Sequence, residues 1–352
     1  MRRAADLVRS GLVPPEREAV LAEVAARYAV AVTPAIAGLI DRGDPHDPVA
    51  RQFIPDPAEL MVTPEERADP IGDEVHQVVP GLVHRYPDRV LLKLTSVCAV
   101  YCRFCFRRET VGRGGEGILS EVELAAALAY VGARPAIWEV IVSGGDPLIA
   151  APRRLKALGR ALGSIDHLKV VRFHTRVPVV APERVTPALV DALAASGKTT
   201  WVAVHANHPR ELTAQARAAL GRLKAGGLSL VSQTVLLRGV NDDAEVLAAL
   251  MRAFVEAGVK PYYLHHGDLA PGTGHFRTTI EEGRSLMKEL RGRVSGLCQP
   301  TYVLDIPGGH GKVPLGPDYV SYREGTCAVE DFAGRRHPYP EAGSAAPDRT
   351  GF

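Results

Sequence analysis

Three cysteines in the first third of the chain could hold a metal centre. Cys98, Cys102 and Cys105 lie within eight positions, in the segment CAVYCRFC. Thiolates are soft ligands that suit zinc or an iron–sulfur cluster, but a structural zinc ion needs four ligands and this segment offers three. Three thiolates on a four-iron cluster would leave one iron open to a substrate or cofactor. A zinc site completed by Cys298 or a histidine, or simply buried thiols, stays open as an alternative.

A glycine-rich segment could bring its backbone close to a second ligand. It is the sequence SGGDP, whose first four residues are Ser143, Gly144, Gly145 and Asp146. Glycines suit this role because they carry no side chain that would hold a ligand away. An ordinary turn is the alternative interpretation.

A second glycine-rich segment, PGGHGK, ends at Lys312. Lysine forms Schiff bases with carbonyl compounds, and the glycines would let a flat cofactor approach. The sequence is not that of a phosphate-binding P-loop, because Val313 replaces Ser or Thr and Pro314 blocks the following helix turn. A surface turn rich in glycine is the remaining alternative.

Alternating strand and helix patterns begin at about residue 88. They predict repeated βα units around a parallel sheet, closed or partly closed as a barrel. The predicted strands are 89–95, 137–142, 168–174, 200–205, 228–236, 261–265 and 301–305. The predicted helices include 16–27, 211–225, 242–257 and 279–290, one that opens at Ser120 and Glu123, and one that ends at Gly197. The Pro- and Asp-rich stretch 44–73 is typical of a loop.

Each segment that could do chemistry follows the carboxyl end of a predicted strand. The cysteines follow the first strand, SGGDP the second, HTR (174–176) the third, His205 the fourth and HHGD (265–268) the sixth, and the Lys312 segment follows the last. Barrels of α/β type place their chemistry at this rim. The segments are therefore predicted to meet at one site.

The composition excludes several classes of protein. The 352 residues are 46% apolar and 23% charged, which excludes collagen, coiled coil and wholesale disorder. The net charge, 42 − 40 = +2, is too small to predict nucleic acid or an anionic membrane as a partner. Five cysteines, three of them clustered, indicate a reducing compartment. Since neither a secretory signal nor an apolar run of about 18 residues is evident, we expect a cytoplasmic protein.

The spacing CxxxCxxC after the first strand of a βα repeat resembles that of the radical S-adenosylmethionine enzymes. The resemblance implies that Cys98, Cys102 and Cys105 hold a [4Fe-4S] cluster, whose open iron chelates S-adenosylmethionine, and that the SGGDP segment receives the methionine amino group. The fold it implies is a partial (β/α)6-type barrel of the α/β class over 88–300, preceded by a helical extension over 1–87. The segment 301–352 would then carry Lys312 and end in a frayed tail from about 321.

Longer phrases resemble the lysine 2,3-aminomutase family. They are HRYPDRVLL (84–92), HTRVPVV (174–180), LLRGVND (236–242), PYYLHHGDL (261–269), HFRT (275–278) and PTYVLDIPGGHGK (300–312). The resemblance, which runs from about residue 28 to about 320, implies an isomerase that moves the α-amino group of L-lysine to C3 and makes β-lysine. It also implies pyridoxal 5′-phosphate (PLP) as a further cofactor. A 5′-deoxyadenosyl radical would take a hydrogen from C3 of the substrate.

The same resemblance implies roles for single residues. Lys312 would form the Schiff base with PLP, and Arg107 would hold the substrate carboxylate. Asp268 and Asp305 would bind the ε-ammonium group, whose burial costs several kcal/mol unless it is paired. A substrate that ends in a carboxylate, such as glutamate, would then be rejected. For either aspartate alone, a cap or a surface ion pair is the alternative.

Four further positions carry weaker expectations. His205 and Gln233 match family positions near S-adenosylmethionine, whereas His174 and Arg176 are rim residues without an assigned role. Where the clostridial-type enzyme has a zinc-binding C-terminal extension, this chain has only Cys327, so we expect no such zinc.

Two departures concern the cluster and cofactor positions, and several functional questions stay open. His265 stands where the family has a tyrosine near the PLP ring, and Phe104 replaces a histidine between two cluster cysteines.

The alternatives to free β-lysine formation are β-lysine for elongation factor P, an aminomutase for arginine or another amino acid, and a non-catalytic zinc-stabilised binding protein. We expect a reducing donor such as flavodoxin or ferredoxin, and a homo-oligomer is left open.

Overall fold

A ten-stranded sheet forms the centre of the protein in the computed structural model, which describes residues 1–113, 117–323 and 326–340. Its strands are β1 (Gln77–Val79), β2 (Leu82–Tyr86), β3 (Arg89–Thr95), β4 (Glu139–Gly144), β5 (Val170–Thr175), β6 (Thr199–His205), β7 (Ser229–Val235), β8 (Lys260–His265), β9 (Thr301–Asp305) and β10 (Lys312–Pro314). They lie side by side in chain order. Strands β3 to β9 pair in parallel, while β1, β2 and β10 add antiparallel edges.

Four α-helices precede the sheet in the described part of the chain, and the others lie between its parallel strands. The α-helices are α1 (Ala4–Arg9), α2 (Glu18–Arg27), α3 (Pro34–Ala37), α4 (Pro48–Phe53), α5 (Glu121–Gly132), α6 (Pro152–Gly163), α7 (Val177–Val180), α8 (Pro187–Leu193), α9 (Ala214–Ala225), α10 (Ala244–Glu256) and α11 (Ile280–Arg293). Short 3-10 helices cover Pro15–Arg17, Pro57–Leu60, Glu74–His76, Pro147–Ile149, Pro182–Arg184, Ala194–Ser196, Pro209–Glu211, Gly274–Phe276 and Gly296–Cys298. Within the described ranges, no helix combines the length and the apolar character that a membrane crossing needs.

The alternation confirms the predicted partial barrel of (β/α)6 type. Each strand from β3 to β8 is followed by a helix, in the order α5, α6, α8, α9, α10 and α11, and β9 adds a seventh parallel strand. Side chains from every strand between β2 and β10 line one cavity, so the sheet curves around it. In the described part of the chain, no pairing joins β1 to β10, and the barrel therefore stays open along one side.

The side-chain alternation of the strands explains why one face of the sheet is dry and the other holds polar groups. In β5, Val171 and Phe173 are almost fully buried, whereas Arg172 and His174 line the cavity. Successive side chains of a strand point to opposite faces of the sheet. In the run VVRFHT, alternate residues therefore pack under the helices or face the cavity. The same sequence pattern thus builds the core and delivers polar groups to the cavity.

All seven predicted strands are confirmed, and so are the two predicted helix caps. Ser120 and Glu123 form a capping box at the start of α5. Gly197 has the left-handed φ of +64° that ends the helical turn after α8. The predicted helix at 211–225 begins later, at Ala214, because Thr213 caps it and Pro209–Glu211 forms a separate 3-10 turn.

Two predictions about irregular segments were wrong. The stretch 44–73 contains α4, which forms because Asp47 accepts the N–H groups of Val49 and Ala50 and Pro48 occupies the first helical position. The segment from 321 to 340 is not frayed, because β11 (Val320–Arg323), β12 (Thr326–Glu330) and β13 (Arg336–Pro338) form a second antiparallel sheet. The predicted tail at 341–352 lies outside the described residues.

The three predicted domain ranges, 1–87, 88–300 and 301–352, stay a prediction. The ten-stranded sheet runs across both proposed boundaries, because β1 and β2 precede residue 88 and β9 and β10 follow residue 300. The ends of the barrel sheet are therefore built from the flanking segments.

A buried charge cluster attaches the N-terminal extension to the cysteine segment. The fully buried Glu59 accepts hydrogen bonds from Arg103, whose Nε lies 2.9 Å from Oε1, and from Arg108. Arg108 also lies 3.5 Å above the ring of Tyr28. Two cations that flank Cys105 thus depend on one carboxylate from the extension.

We predict that Glu59→Gln destabilises the fold strongly. The substitution leaves two buried guanidinium groups without an anion, and breaking a buried ion pair in this way costs about 3–5 kcal/mol. Urea-denaturation midpoints would measure the change. Asp318→Asn is the matched control, because it removes an exposed partner of Arg284 and should change little. An equal, small effect of both substitutions would contradict the prediction.

Candidate functional site

A cavity of about 780 Å³ lies inside the curve of the sheet, a volume within the usual range of about 300–1,000 Å³ for ligand sites. Every residue that the sequence assigned to a site lines it, namely Cys98, Cys102, Cys105, Arg107, Ser143, Gly144, Gly145, Asp146, His205, Gln233, Asp268, Asp305 and Lys312. The residues come from loops and strands that are far apart in the chain. The predicted meeting of these segments at one place is therefore observed.

Two of the three cysteine thiols lie in surroundings that disfavour bare thiolates. Burial and the neighbouring carboxylate of Asp146 raise the pKa of Cys98 well above its usual range. Burial and the neighbouring Cys102 raise the pKa of Cys105 to about 11. A positively charged metal centre would reverse this preference, because a coordinating thiol loses its proton. Cys98 and Cys105 therefore fit a metal centre better than they fit isolated thiolates.

The three thiols are soft donors of the kind that iron–sulfur clusters use. Within the described ranges, no three His, Cys, Asp or Glu side chains are gathered closely enough to hold one metal ion. Cys298 does not complete a zinc site, because it precedes β9 at the amino end of the sheet, whereas the cysteine segment follows the carboxyl end of β3.

Arg176, to which the sequence assigned no role, contacts one of the three cysteines. Its Nη1 donates to the Sγ of Cys102 at 2.9 Å, and its Nη2 donates to Glu211 and to Gln52, both at 2.6 Å. Phe53 lies beneath the guanidinium group at 4.5 Å. Since Gln52 and Phe53 belong to α4, the N-terminal extension fixes a cation against the cysteine loop.

The structure gives the glycines of the SGGDP segment a reason beyond the one the sequence indicated. Gly144 has a φ of +107°, and a Cβ there would overlap the carbonyl oxygen of Thr95. A Cβ on Gly145 would overlap the carbonyl oxygen of Val97. These glycines let the end of β4 approach the start of the cysteine loop, and they line the cavity as a consequence.

Asp146 lines the cavity, but its carboxylate is engaged within the protein. It accepts the Thr175 hydroxyl at 2.7 Å and the backbone N–H groups of Leu148, Arg176 and Val177. The side chain therefore joins the end of β4 to the loop after β5. Any ligand contact in this segment would come from its backbone and from Ser143.

His205 and Gln233 lie at the ends of neighbouring strands. Burial lowers the pKa of His205 well below its usual range, and its Nε2 lies 3.2 Å from Oδ1 of Asn207. The ring of Phe104 lies 5.7 Å from that of His205 and belongs to a small apolar cluster with Phe276. Phe104 thus supplies packing at a position where a histidine would have supplied a polar group.

Lys312 lies among three side chains at the start of β10. Its Nζ contacts the carboxylate of Asp305, lies 3.3 Å from Nδ1 of His265, and lies 5.5 Å from the ring centre of Tyr263. Burial would raise the pKa of Asp305, but the hydrogen bonds and charges of His265 and Lys312 hold it below its usual range. A single primary amine inside a cavity, beside an aromatic ring, fits a Schiff-base lysine.

The glycine loop before Lys312 is held by the N-terminal extension. Gly309 has a φ of +88°, and its carbonyl oxygen lies 2.9 Å from Nε2 of His76. A Cβ on Gly72 would overlap the backbone of Gly309. The close contact therefore requires glycine at both positions, 72 and 309. The loop then leads directly into β10 without an intervening helix.

Asp268 is the unusual acid of the cavity. Burial, together with the nearby negative charge of Asp305, raises the pKa of Asp268 to about 7. No hydrogen bond from another described residue reaches its carboxylate. The cavity therefore contains a carboxyl group that ionises fully only when a cation approaches it or the pH rises above 7.

Arg107 has an acidic partner that the sequence did not single out. Its Nε and Nη2 both donate to Oδ2 of Asp73, at 3.0 and 2.8 Å. Asp73 also lies 3.5 Å from Arg85, which in turn lies 3.9 Å from Asp305. Asp73 could not be recognised from spacing alone, because it lies in a segment with no strand or helix pattern.

Three further arginines enter the cavity without having been predicted. They are Arg85, Arg89 and Arg172. Arg172 is paired with Glu139 at 2.9 Å, and Arg89 lies 3.8 Å over the ring of Tyr86. The phrase HRYPDRVLL contained two of them, so the signal was present, but nothing distinguished them from surface cations. Guanidinium groups suit a phosphate group, and each of these three also has an acidic partner.

His174 has an unsatisfied ring nitrogen. Its Nε2 is buried without a hydrogen-bond partner among the described residues. Burial and the neighbouring Arg172 lower the pKa of His174 well below its usual range. The side chain is thus a neutral imidazole at the cavity wall.

Comparison with known proteins identifies the family. A model of the Radical SAM superfamily matches residues 92–251, and one described as Lysine-2,3-aminomutase matches residues 287–351. The chain is 42% identical over 322 residues to a provisionally named L-lysine 2,3-aminomutase of Aquifex aeolicus, covering 91% of this chain and 86% of that protein. It is 39% identical to the L-lysine 2,3-aminomutase of Clostridium subterminale (93% and 78% covered) and 40% identical to that of Escherichia coli (82% and 83% covered).

We predict that Asp268→Asn stabilises the protein at high pH and not at low pH. The pKa of an aspartate in an unfolded chain is about 3.9, and that of Asp268 is raised to about 7. The folded state therefore binds an extra proton between these values, and the free energy of unfolding falls as the pH rises through them. At about 1.4 kcal/mol per unit, the ceiling is about 4 kcal/mol.

Urea denaturation of the ligand-free wild type and the variant would measure this difference. The advantage of Asp268→Asn should be near zero at pH 4, should grow up to about pH 7, and should then level off. A difference that does not change with pH would show that Asp268 titrates normally.

Proposed function

We propose that this chain, which belongs to the lysine 2,3-aminomutase family, moves the α-amino group of L-lysine to C3 and forms β-lysine. The observation that carries the proposal is that one cavity contains the three-cysteine loop, Lys312 and a pair of aspartates. The first two fit the two cofactors of the reaction. The aspartates fit the cationic end of lysine.

Three groups of residues would hold the cofactors. Cys98, Cys102 and Cys105 would ligate a [4Fe-4S] cluster, and Ser143, the two glycines after it, His205 and Gln233 would contact S-adenosylmethionine. Lys312 would bind PLP covalently, with Arg85, Arg89 and Arg172 near its phosphate. When bound, the cluster and S-adenosylmethionine supply a hydrogen-abstracting radical, and PLP supplies the carbonyl carbon that binds an amine.

The two aspartates would select the end of the substrate side chain. An ε-ammonium group between Asp268 and Asp305 would be attracted by both carboxylates once Asp268 is ionised. Asp268 would lose its proton as the ammonium group binds, since a nearby cation lowers a raised carboxyl pKa. A substrate without this amine would leave the two acids together, which disfavours it.

Arg107 would bind the substrate carboxylate at the other end. Asp73 holds its Nε and Nη2, so Nη1 is the nitrogen left to face the cavity. This fixes the direction of the guanidinium group before the substrate arrives. Binding both ends of an amino acid positions its C2 and C3 atoms, which is the main contribution of the protein to the reaction.

Several finer points belong to the same proposal. A guanidinium group could also lie between two carboxylates, so L-arginine is the competing substrate that this site favours most.

We infer that the protein works in the cytoplasm, where a low-potential donor such as flavodoxin or ferredoxin reduces the cluster. Whether the product stays free or is attached to elongation factor P can be tested by adding the partner ligase.

The proposal predicts β-lysine from L-lysine under anaerobic conditions. Protein reconstituted with iron, sulfide, PLP, S-adenosylmethionine and a reductant should convert L-lysine, and mass-resolved chromatography would detect the product. Lys312→Ala should abolish it. L-Arginine in tenfold excess should slow the reaction only if it binds between the aspartates.

The outcomes separate the hypotheses. A colourless protein with one zinc per chain would support the non-catalytic zinc-binding alternative. A brown protein that holds iron, sulfide and PLP but makes no β-lysine would refute the lysine assignment. Product from Lys312→Ala at the wild-type rate would refute the role of that lysine.

A further inference from the structure

We propose that His265 is a catalytic residue that carries a proton for Lys312 when this lysine joins, or leaves, the carbonyl carbon of PLP. The inference rests on the proposed function and assigns a new role within the same site. It applies to an early step, the formation and exchange of the covalent bond to the cofactor. The radical reaction itself does not depend on it.

The position of His265 carries the argument. It ends β8, and its Nδ1 lies 3.3 Å from Nζ of Lys312 and 3.8 Å from Oδ2 of Asp305. Its ring meets that of Tyr263 edge-on at 5.6 Å, which holds the imidazole in this orientation. One ring nitrogen therefore faces both the amine that must react and a carboxylate.

A proton must leave Lys312 before it can act as a nucleophile, and the neighbouring groups offer two acceptors. Asp305 is the poorer base, because its pKa is held below its usual range. Burial and the charge of Lys312 lower the pKa of His265, so the imidazole is neutral and can accept. Histidine is also the side chain whose basicity lies nearest to the working pH.

Asp305 would assist this transfer without accepting the proton itself. Once Nδ1 of His265 is protonated, the imidazolium group faces a carboxylate that remains ionised. The charge thus moves from one cation beside Asp305 to another. No new unpaired charge is created in the cavity. The free-energy cost of the proton transfer therefore stays low in this poorly solvated site.

The step balances as follows. The Lys312 ammonium group gives a proton to His265 Nδ1, and the free amine forms a C–N bond to the PLP aldehyde carbon. The aldehyde oxygen takes up a proton from the new amine and a second one from His265, and leaves as water. The products are a protonated imine and neutral His265, and no electrons are transferred between groups. Exchange with a substrate amine uses the same acceptor in reverse.

The rate of bond formation between the apoprotein and PLP tests the proposal. The full chain, without cluster or S-adenosylmethionine, is mixed with PLP in a stopped-flow absorbance experiment, and Lys312→Ala defines the background. His265→Phe should form the Schiff base about 10²-fold more slowly, the usual scale of general acid–base catalysis. Its final occupancy should remain close to that of the wild type.

A matched control uses another histidine. His275 stacks on Phe276, and neither of its ring nitrogens has a hydrogen-bond partner within the described ranges. His275→Phe should therefore leave the rate unchanged. In His265→Ala, added imidazole should restore the rate at least tenfold, because the free base can occupy the space that the side chain leaves.

Several results would overturn the inference. A wild-type rate in His265→Phe shows that no proton passes through this ring. If His265→Ala forms the Schiff base slowly and imidazole does not accelerate it, the residue contributes by packing and not by proton transfer. If His265→Phe fails to fold, the His265→Ala rescue decides alone. A wild type that forms no Schiff base refutes the proposed PLP site instead, so the two failures are distinguishable.

Discussion

Charged side chains that point into a curved sheet must each find a partner, because water reaches them poorly, and this constraint organises the cavity. Arg107, Asp73, Arg85, Asp305 and Lys312 form a continuous series of alternating charges along its wall. Each member limits where its neighbours can lie. Asp268 is not part of this series, and its pKa is raised to about 7. Asp268, which forms no ion pair with another described residue, is thus a place where a cationic ligand would be stabilised.

The N-terminal extension supplies many of the partners that this constraint demands. Glu59 neutralises the arginines around the cysteine loop, Gln52 holds Arg176 against Cys102, and Asp73 holds Arg107. The contact of Gly72 with Gly309 connects the extension to the loop before Lys312 as well. The site is therefore shared between the barrel and the segments on either side of it. A barrel without its extension would retain the cysteines but would lose the groups that orient the arginines.

Much of this site could be predicted from the sequence because the relevant signals are local. The spacing of three cysteines, the glycines before Lys312 and the periodicity of the strands each occupy a short stretch of chain. The rule that chemistry follows the carboxyl ends of parallel strands then brought them to one cavity. The glycines of SGGDP were singled out from the sequence, and the structure adds a packing reason for them. They relieve a contact with the backbone of Thr95 and Val97, which no reading of a single segment can reveal.

By itself, the sequence determined the order of the parallel strands, the cysteine and lysine segments of the cavity and the family, since these depend on patterns along the chain. Only the tertiary structure decided the partners. Asp73 faces Arg107 from 34 positions away, Gln52 faces Arg176 from 124, and His265 faces Lys312 from 47. Ion pairs and proton transfer depend on distances of a few ångströms between atoms that the fold brings together. The pKa of Asp268 and the position of His265 follow from that three-dimensional arrangement, which spacing along the chain does not encode.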